Sequence, residues 1–285
     1  ILGTILLMIG CTKSTSNTST KATSDKKEIT LEEIWDGTFS PERMNTLNSM
    51  NGDFYSLLNN DKDGITTVDK YSYATLEKVE TIVSSADLND LTSFSSYSFN
   101  YAYDVASKNL TLIGKDIQEP VFSPDNEKVA YAKDNNIFIK DFSKNALIQV
   151  TKDGKKNHII NGITDWVYEE EFAFVRAFEW SNNSQYLAFL RFDETDVPTF
   201  SMDLVGSENY PDQLVFKYPK AGEKNANVTL QMFTLSNRIT KKIALGDYEY
   251  IPRIKWSNND AILVATTLNR HQNELKLHKV NALRN

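Results

Sequence analysis

The chain has 285 residues, 31 basic and 38 acidic side chains for a net charge of −7, 40% hydrophobic residues and one cysteine. An acidic balance argues against a nucleic-acid binder, which needs a basic face to meet phosphates. One cysteine excludes a disulfide framework and a cysteine-based zinc site, and three histidines (His158, His271 and His278) are few for a rich metal centre, so no metal and no cofactor are expected.

Residues 1–11 open with a mostly apolar run, Ile1 to Gly10, which is too short to span a bilayer at about 20 residues and suits the core of a secretion signal. Cys11 follows Leu-Met-Ile-Gly directly, which resembles a bacterial lipobox and makes Cys11 the expected lipid anchor. The missing initiator Met and basic leader suggest a start truncated at the N-terminus. Residues 12–28 are mainly Ser, Thr, Lys, Asn and Asp; such a stretch cannot repay its ordering entropy and reads as a tether. Together these segments lead us to expect a lipid-anchored cell-envelope protein, facing the periplasm or the cell surface and touching the membrane only through its anchor.

From Ile29 onward the pattern is strand-rich, with Leu31 to Trp35 as a short helical start. The clearest unit is Pro120 to Asp141: a strand end, a Ser-Pro-Asp-Asn turn, a strand centred on Val129 to Ala132, an Asp-Asn-Asn turn and a strand from Ile137 to Lys140. The unit recurs at Phe178 to Arg191 with Trp180 in the place of Phe122, and again at Ile254 to Ala265 with Trp256 there. A weaker copy lies at Leu47 to Leu58. Copies are roughly 60 to 75 residues apart, longer than a compact propeller blade of about 40–45, so insertions between strands are expected. The fold class is all-β, and the repeated aromatic-Ser-turn-strand unit favours a β-propeller over a β-sandwich.

The most unusual stretch is Asn161 to Phe172, Asn-Gly-Ile-Thr-Asp-Trp-Val-Tyr-Glu-Glu-Glu-Phe. It resembles the glutamate-motif segment of the dipeptidyl peptidase IV family, serine exopeptidases that remove N-terminal dipeptides. Arg191 to Pro198, Phe216 to Gly222 and Leu268 to Leu275 resemble further family segments in the same order. The resemblance covers about Ile29 to Asn285 and implies roughly the first half of an eight-bladed propeller, with a short helical insertion carrying the Glu motif. It also implies that Glu170 and Glu171 bind the substrate N-terminal ammonium, Glu169 being a neighbour. Two carboxylates supply opposite charge and acceptors to an ammonium, each charge-assisted bond being worth roughly 1.5–3 kcal/mol, and an acylated terminus offers neither charge nor donors. The flanking Trp166, Tyr168 and Phe172 lead us to expect partly buried acids. Adjacent residues do not face each other on a regular helix, so convergence needs a turn or a helix end.

Family members usually carry an arginine that contacts the substrate carbonyl region; the matching stretch here, Ser95 to Asp104, has none, and the position falls near Ser96. No Gly-x-Ser-x-Gly elbow occurs, and the three histidines read as surface or structural residues. The resemblance places the catalytic Ser, Asp and His in an α/β-hydrolase domain beyond Asn285, so the chain alone is expected to be inactive, and half a propeller with an open edge to be poorly stable. It further implies peptide substrates with a free N-terminus, a preference for Pro or Ala at the second position, and homodimers formed mainly through surfaces outside this chain. A relative releasing tripeptides is an alternative within the class, and a non-catalytic envelope propeller binding peptides or proteins as a scaffold is one outside it.

Overall fold

The computed structural model describes residues 29–41, 45–89, 99–207, 209–259 and 261–284. The signal-like segment, Cys11, the tether and Ser96 lie outside the described residues. The chain divides into two compact units, one ending at Thr81 and the other beginning at Ile82.

In the first unit the expected helix forms at Leu31–Trp35, opened by a capping box in which Thr30 and Glu33 exchange side-chain and backbone bonds of 3.2 Å. The strands Asn48–Ser49, Phe54–Asn60, Thr66–Ser72 and Lys78–Ser84 make one sheet in chain order, the last strand running past the division at Thr81. Asp69 is buried at its centre. Burial alone would raise its carboxyl, but bonds from Lys78, Asn59, Thr81 and Thr67 outweigh that and bring it to about 2.

The second unit contains a hairpin, Phe99–Asp104 with Asn109–Lys115, and then three larger sheets. The first of these is an antiparallel meander of Gln118–Phe122, Lys128–Lys133, Asn136–Asp141 and Ala146–Gln149. The next joins Ile159–Asn161, Phe178–Trp180, Tyr186–Asp193, Asn227–Thr234 and Ile239–Lys242, and the last joins Tyr250–Trp256, Ile262–Leu268 and Leu275–Asn281. These are propeller blades, as the repeat predicts. The expected insertions are present too: helix Trp166–Phe172 precedes Phe178–Trp180, and the hairpin Thr199–Leu204 with Asp212–Lys217 separates two strands of the same blade.

Local chemistry explains the repeat. Lys133 pairs with Asn136 across a two-residue turn in which Asp134 and Asn135 both have positive φ (49° and 59°), a conformation these short polar side chains tolerate. Each turn serine closes its own hairpin: the N–H of Ser123, Ser181 and Ser257 donates to the carbonyl of Lys128, Tyr186 and Ile262 at 2.8, 2.9 and 3.0 Å. Each repeat tryptophan reaches back one sheet. Trp180 Nε1 donates to the Val121 carbonyl at 3.3 Å, and Trp256 Nε1 donates to the Glu179 carbonyl at 3.1 Å. Those carbonyls sit one residue before the equivalent aromatic positions, 122 and 180.

Alternation along Tyr186–Asp193 supplies two cores. Leu187 and Phe189 pack with Ile137, Ile139 and Phe178 on one face, while Ala188, Leu190 and Phe192 pack with Leu230, Ile251 and Leu263 on the other. A strand covered on both faces has no polar side to show, which is why Leu187 to Leu190 are all apolar and nearly inaccessible.

Candidate functional site

The glutamate helix stands on a pinched loop. Gly162, at φ 76°, has Ile137 Cγ1 only 2.6 Å from where a Cβ would sit, so the chain turns there with no side chain. Beyond it Ile163 bridges Arg176, and Thr164 ties the returning strand through its N–H to the Val175 carbonyl and its hydroxyl to the Phe174 carbonyl, both at 3.0 Å. Asp165 caps the helix by accepting from Tyr168 N at 3.1 Å, and Ala173, in the left-handed region at φ 55°, ends it.

Seven residues are too few for a helix to persist on its own propensity. Tertiary contacts hold this one. Tyr168 is buried against Phe172, Phe174 and Phe192, with ring centroids at 5.0, 5.8 and 4.9 Å, and its hydroxyl accepts from Ile251 N at 2.8 Å. Trp166 packs on Tyr218 at 4.3 Å, and Arg253 Nη2 donates to the Phe172 carbonyl at 2.7 Å.

Glu169, Glu170 and Glu171 are all exposed, which corrects the expectation of partly buried acids. The reason is helical phase. Tyr168 and Phe172 are one turn apart and share the buried face, so the three residues between them turn outward at about 100° steps. Glu170 and Glu171 lie in the last turn of the helix. Neither carboxylate has an ion pair or hydrogen bond among the described residues. Glu169 stands in the first turn, but Glu170 and Glu171 follow it toward the C-terminal end, where the last turn carries no basic residue; these two face the negative end of the helix dipole, an arrangement that works against stability by a few tenths of a kcal/mol to about 1 kcal/mol each. The same field attracts an incoming cation.

Two acids that the sequence reading missed are close to one another, Asp165 as the cap of the helix and Glu194 near enough to feel its charge. Burial pushes the Asp165 carboxyl up to about 6, against the opposing bond from Tyr168 N. Burial also raises Glu194, to about 7, helped by the negative charges of Asp165 and Asp193 and resisted by Lys217, whose ammonium donates to the Thr195 and Val197 carbonyls at 3.2 and 2.7 Å. Because the fold raises this carboxyl above its ordinary 4.5, the folded state holds a proton that the unfolded state releases first. Stability from this group is therefore full below pH 4.5 and is lost as pH rises to about 7. Glu194→Gln is expected to shrink the stability difference between pH 5 and pH 8 by on the order of 1–2 kcal/mol, read from urea midpoints. An unchanged difference would show that Glu194 ionises as freely in the fold as outside it.

A polar cavity of about 670 Å³ lies nearby in the chain's later blades, lined by Asp193, Asp196, Lys224, Asn225, Glu249 and Arg270 among others. Four of its charges pair with each other, Lys224 with Asp196 at 3.3 Å and Arg270 with Glu249 at 3.0 Å, Asp193 lies 3.8 Å from Arg191, and neither Glu170 nor Glu171 lines the cavity. His278 bonds Thr267 at 2.8 Å and His271 is exposed. No cluster of three or more His, Cys, Asp or Glu suited to a metal occurs among the described residues. No helix among them is long and apolar enough to cross a membrane.

A family model described as the dipeptidyl peptidase IV (DPP IV) N-terminal region matches residues 77–284. Dipeptidyl aminopeptidase B of Saccharomyces cerevisiae is 34% identical over 212 residues, which are 66% of this chain and 25% of that protein. Probable dipeptidyl-aminopeptidase B of Talaromyces stipitatus is 34% identical over 193 residues, 59% of this chain and 21% of that protein. The crystal structure of Porphyromonas gingivalis dipeptidyl peptidase 4 superposes with a TM-score of 0.82 at 34% identity, covering 90% of this chain and 41% of that one. The chain thus spans about a quarter or less of these curated relatives. It belongs to the dipeptidyl peptidase IV family, within that family's N-terminal region.

Proposed function

We propose that this chain is the substrate-gating propeller portion of a serine dipeptidyl aminopeptidase, and that Glu170 and Glu171 bind the N-terminal ammonium of the peptide. The observation that carries the reading is the state of the two carboxylates: exposed and unpaired among the described residues, on a helix whose other face is fixed in the core. An arrangement that works against helix stability and leaves two anions without partners fits a cation supplied by the ligand. The relatives named as dipeptidyl aminopeptidases support the reaction class.

In this reading acyl transfer is performed by a Ser-Asp-His triad outside these residues, the chain alone does not hydrolyse peptides, and dipeptides with Pro or Ala second are preferred. Cys11 carries the lipid that holds the protein to the cell envelope. The test is a comparison, in the full-length protein, of a dipeptidyl chromogenic amide with its N-acetylated form. The free amine is expected to be favoured at least about 100-fold in kcat/KM, since acetylation removes both the charge and the donors that two charge-assisted bonds require. Equal turnover of both forms would exclude an ammonium site, and absence of any turnover would leave the chain a binding scaffold.

A further inference from the structure

The glutamate helix is gripped by one strand of the next blade. Tyr250–Trp256 supplies the Ile251 N–H to the Tyr168 hydroxyl and the Arg253 guanidinium to the Phe172 carbonyl. Positions 168 and 172 are one turn apart, so two contacts on one face set both the rotation of the helix and its height. Between those anchors lie Glu169, Glu170 and Glu171.

Arg253 is an unusual member of this grip. Its Nη2 donates to the Phe172 carbonyl at 2.7 Å, its Nη1 to the Pro252 carbonyl at 2.6 Å, and its central carbon lies 4.9 Å from the Phe174 ring centroid. It makes no ion pair with a carboxylate among the described residues, although Glu171 immediately precedes the residue it holds. A guanidinium able to reach a carboxylate forks onto it strongly and would compete with an incoming ammonium. Here the fork is spent on two carbonyls instead. One of them is a helix-terminal carbonyl that lacks an intrahelical donor, so the cation sits where the dipole favours it.

We propose that Arg253 is a positioning residue for the amine site: its fork holds the last carbonyl of the helix, fixes where Glu170 and Glu171 stand, and keeps its own charge off them. The inference rests on the amine-binding reading above. Lysine at 253 keeps the charge but can hold only one of the two carbonyls with the same geometry; methionine keeps the apolar contact with Phe174 alone.

The experiment measures kcat, KM and thermal midpoint for Arg253→Met, Arg253→Lys, Glu170→Gln and Glu171→Gln in the full-length protein with a dipeptidyl chromogenic amide. Arg253→Met is expected to raise KM about tenfold with kcat within about twofold and the midpoint nearly unchanged, and Arg253→Lys to recover part of the loss. An unchanged KM in Arg253→Met while the glutamine variants raise it overturns the positioning role and leaves the amine site standing. A fall of kcat and midpoint together, with no recovery by lysine, reduces Arg253 to a fold contact and also overturns it. Unchanged KM in both glutamine variants removes the amine site, and the positioning role with it.

Discussion

Replacing Glu170 or Glu171 with alanine in the full-length protein is expected to lower kcat/KM on free-amine substrates by about 10- to 150-fold, the equivalent of one lost charge-assisted bond of roughly 1.5–3 kcal/mol. The effect should fall on the free-amine substrate and spare the little turnover of its acetylated form, so the ratio between the two collapses. Removing both acids should not simply multiply the losses, because both meet the same ammonium and the partner left behind can shift toward it. The pH profile gives an independent reading of the same chemistry. A peptide α-amino group loses its proton near pH 7.7–8.0, so kcat/KM should decline above that range in the parent and much less in the double variant. Unchanged kcat/KM in both single variants would end the assignment of these residues.

Tyr168→Ala is expected to destabilise the protein by about 4–6 kcal/mol, comparable with the whole stability of many domains. Two losses add. The ring is 2% exposed and packs against Phe172, Phe174, Phe192 and Tyr250, so its removal leaves a cavity that these side chains cannot fully close. Its hydroxyl is also the acceptor for Ile251 N–H, which becomes a buried donor with no partner. Tyr168→Phe separates the two, keeping the ring and losing only the bond, for about 1–3 kcal/mol. Urea denaturation of both variants checks the pair of values. A midpoint for Tyr168→Ala close to that of the unaltered protein would mean the helix packs on the blade without depending on this ring.

The repeat was legible in sequence because each copy is local: a serine, a turn and an alternating strand lie within about a dozen residues, and Ser123, Ser181 and Ser257 each close a bond inside that span. The glutamate segment was legible for a similar reason, since its unusual residues are consecutive. Burial of the acids is not legible there, because neighbours in the chain are not neighbours in space on a helix. Trp166, Tyr168 and Phe172 flank the glutamates in sequence, yet the helical step turns Tyr168 and Phe172 inward and the acids outward. Asp165 had a usable signal, an aspartate directly before a helical run, which marks a cap. Glu194 and Arg253 had none. Their importance depends on which blade edge meets the helix, and the bond from Arg253 to Phe172 joins residues 81 positions apart. Register between blades is set by packing across sheets, and no short window of sequence contains it.

The backward bonds of Trp180 and Trp256 bear on how such a chain can change over generations. The two blades that contain Trp180 and Trp256 each bring the indole that fastens them to a main-chain oxygen of the blade before, and a main-chain oxygen is available whatever side chain stands there. A duplicated unit would therefore arrive with its own fastener and find its receptor already in place. Blade number can then grow or shrink by whole copies with no matching substitution in the neighbour, while loops such as the one bearing the glutamates diverge freely at the blade ends.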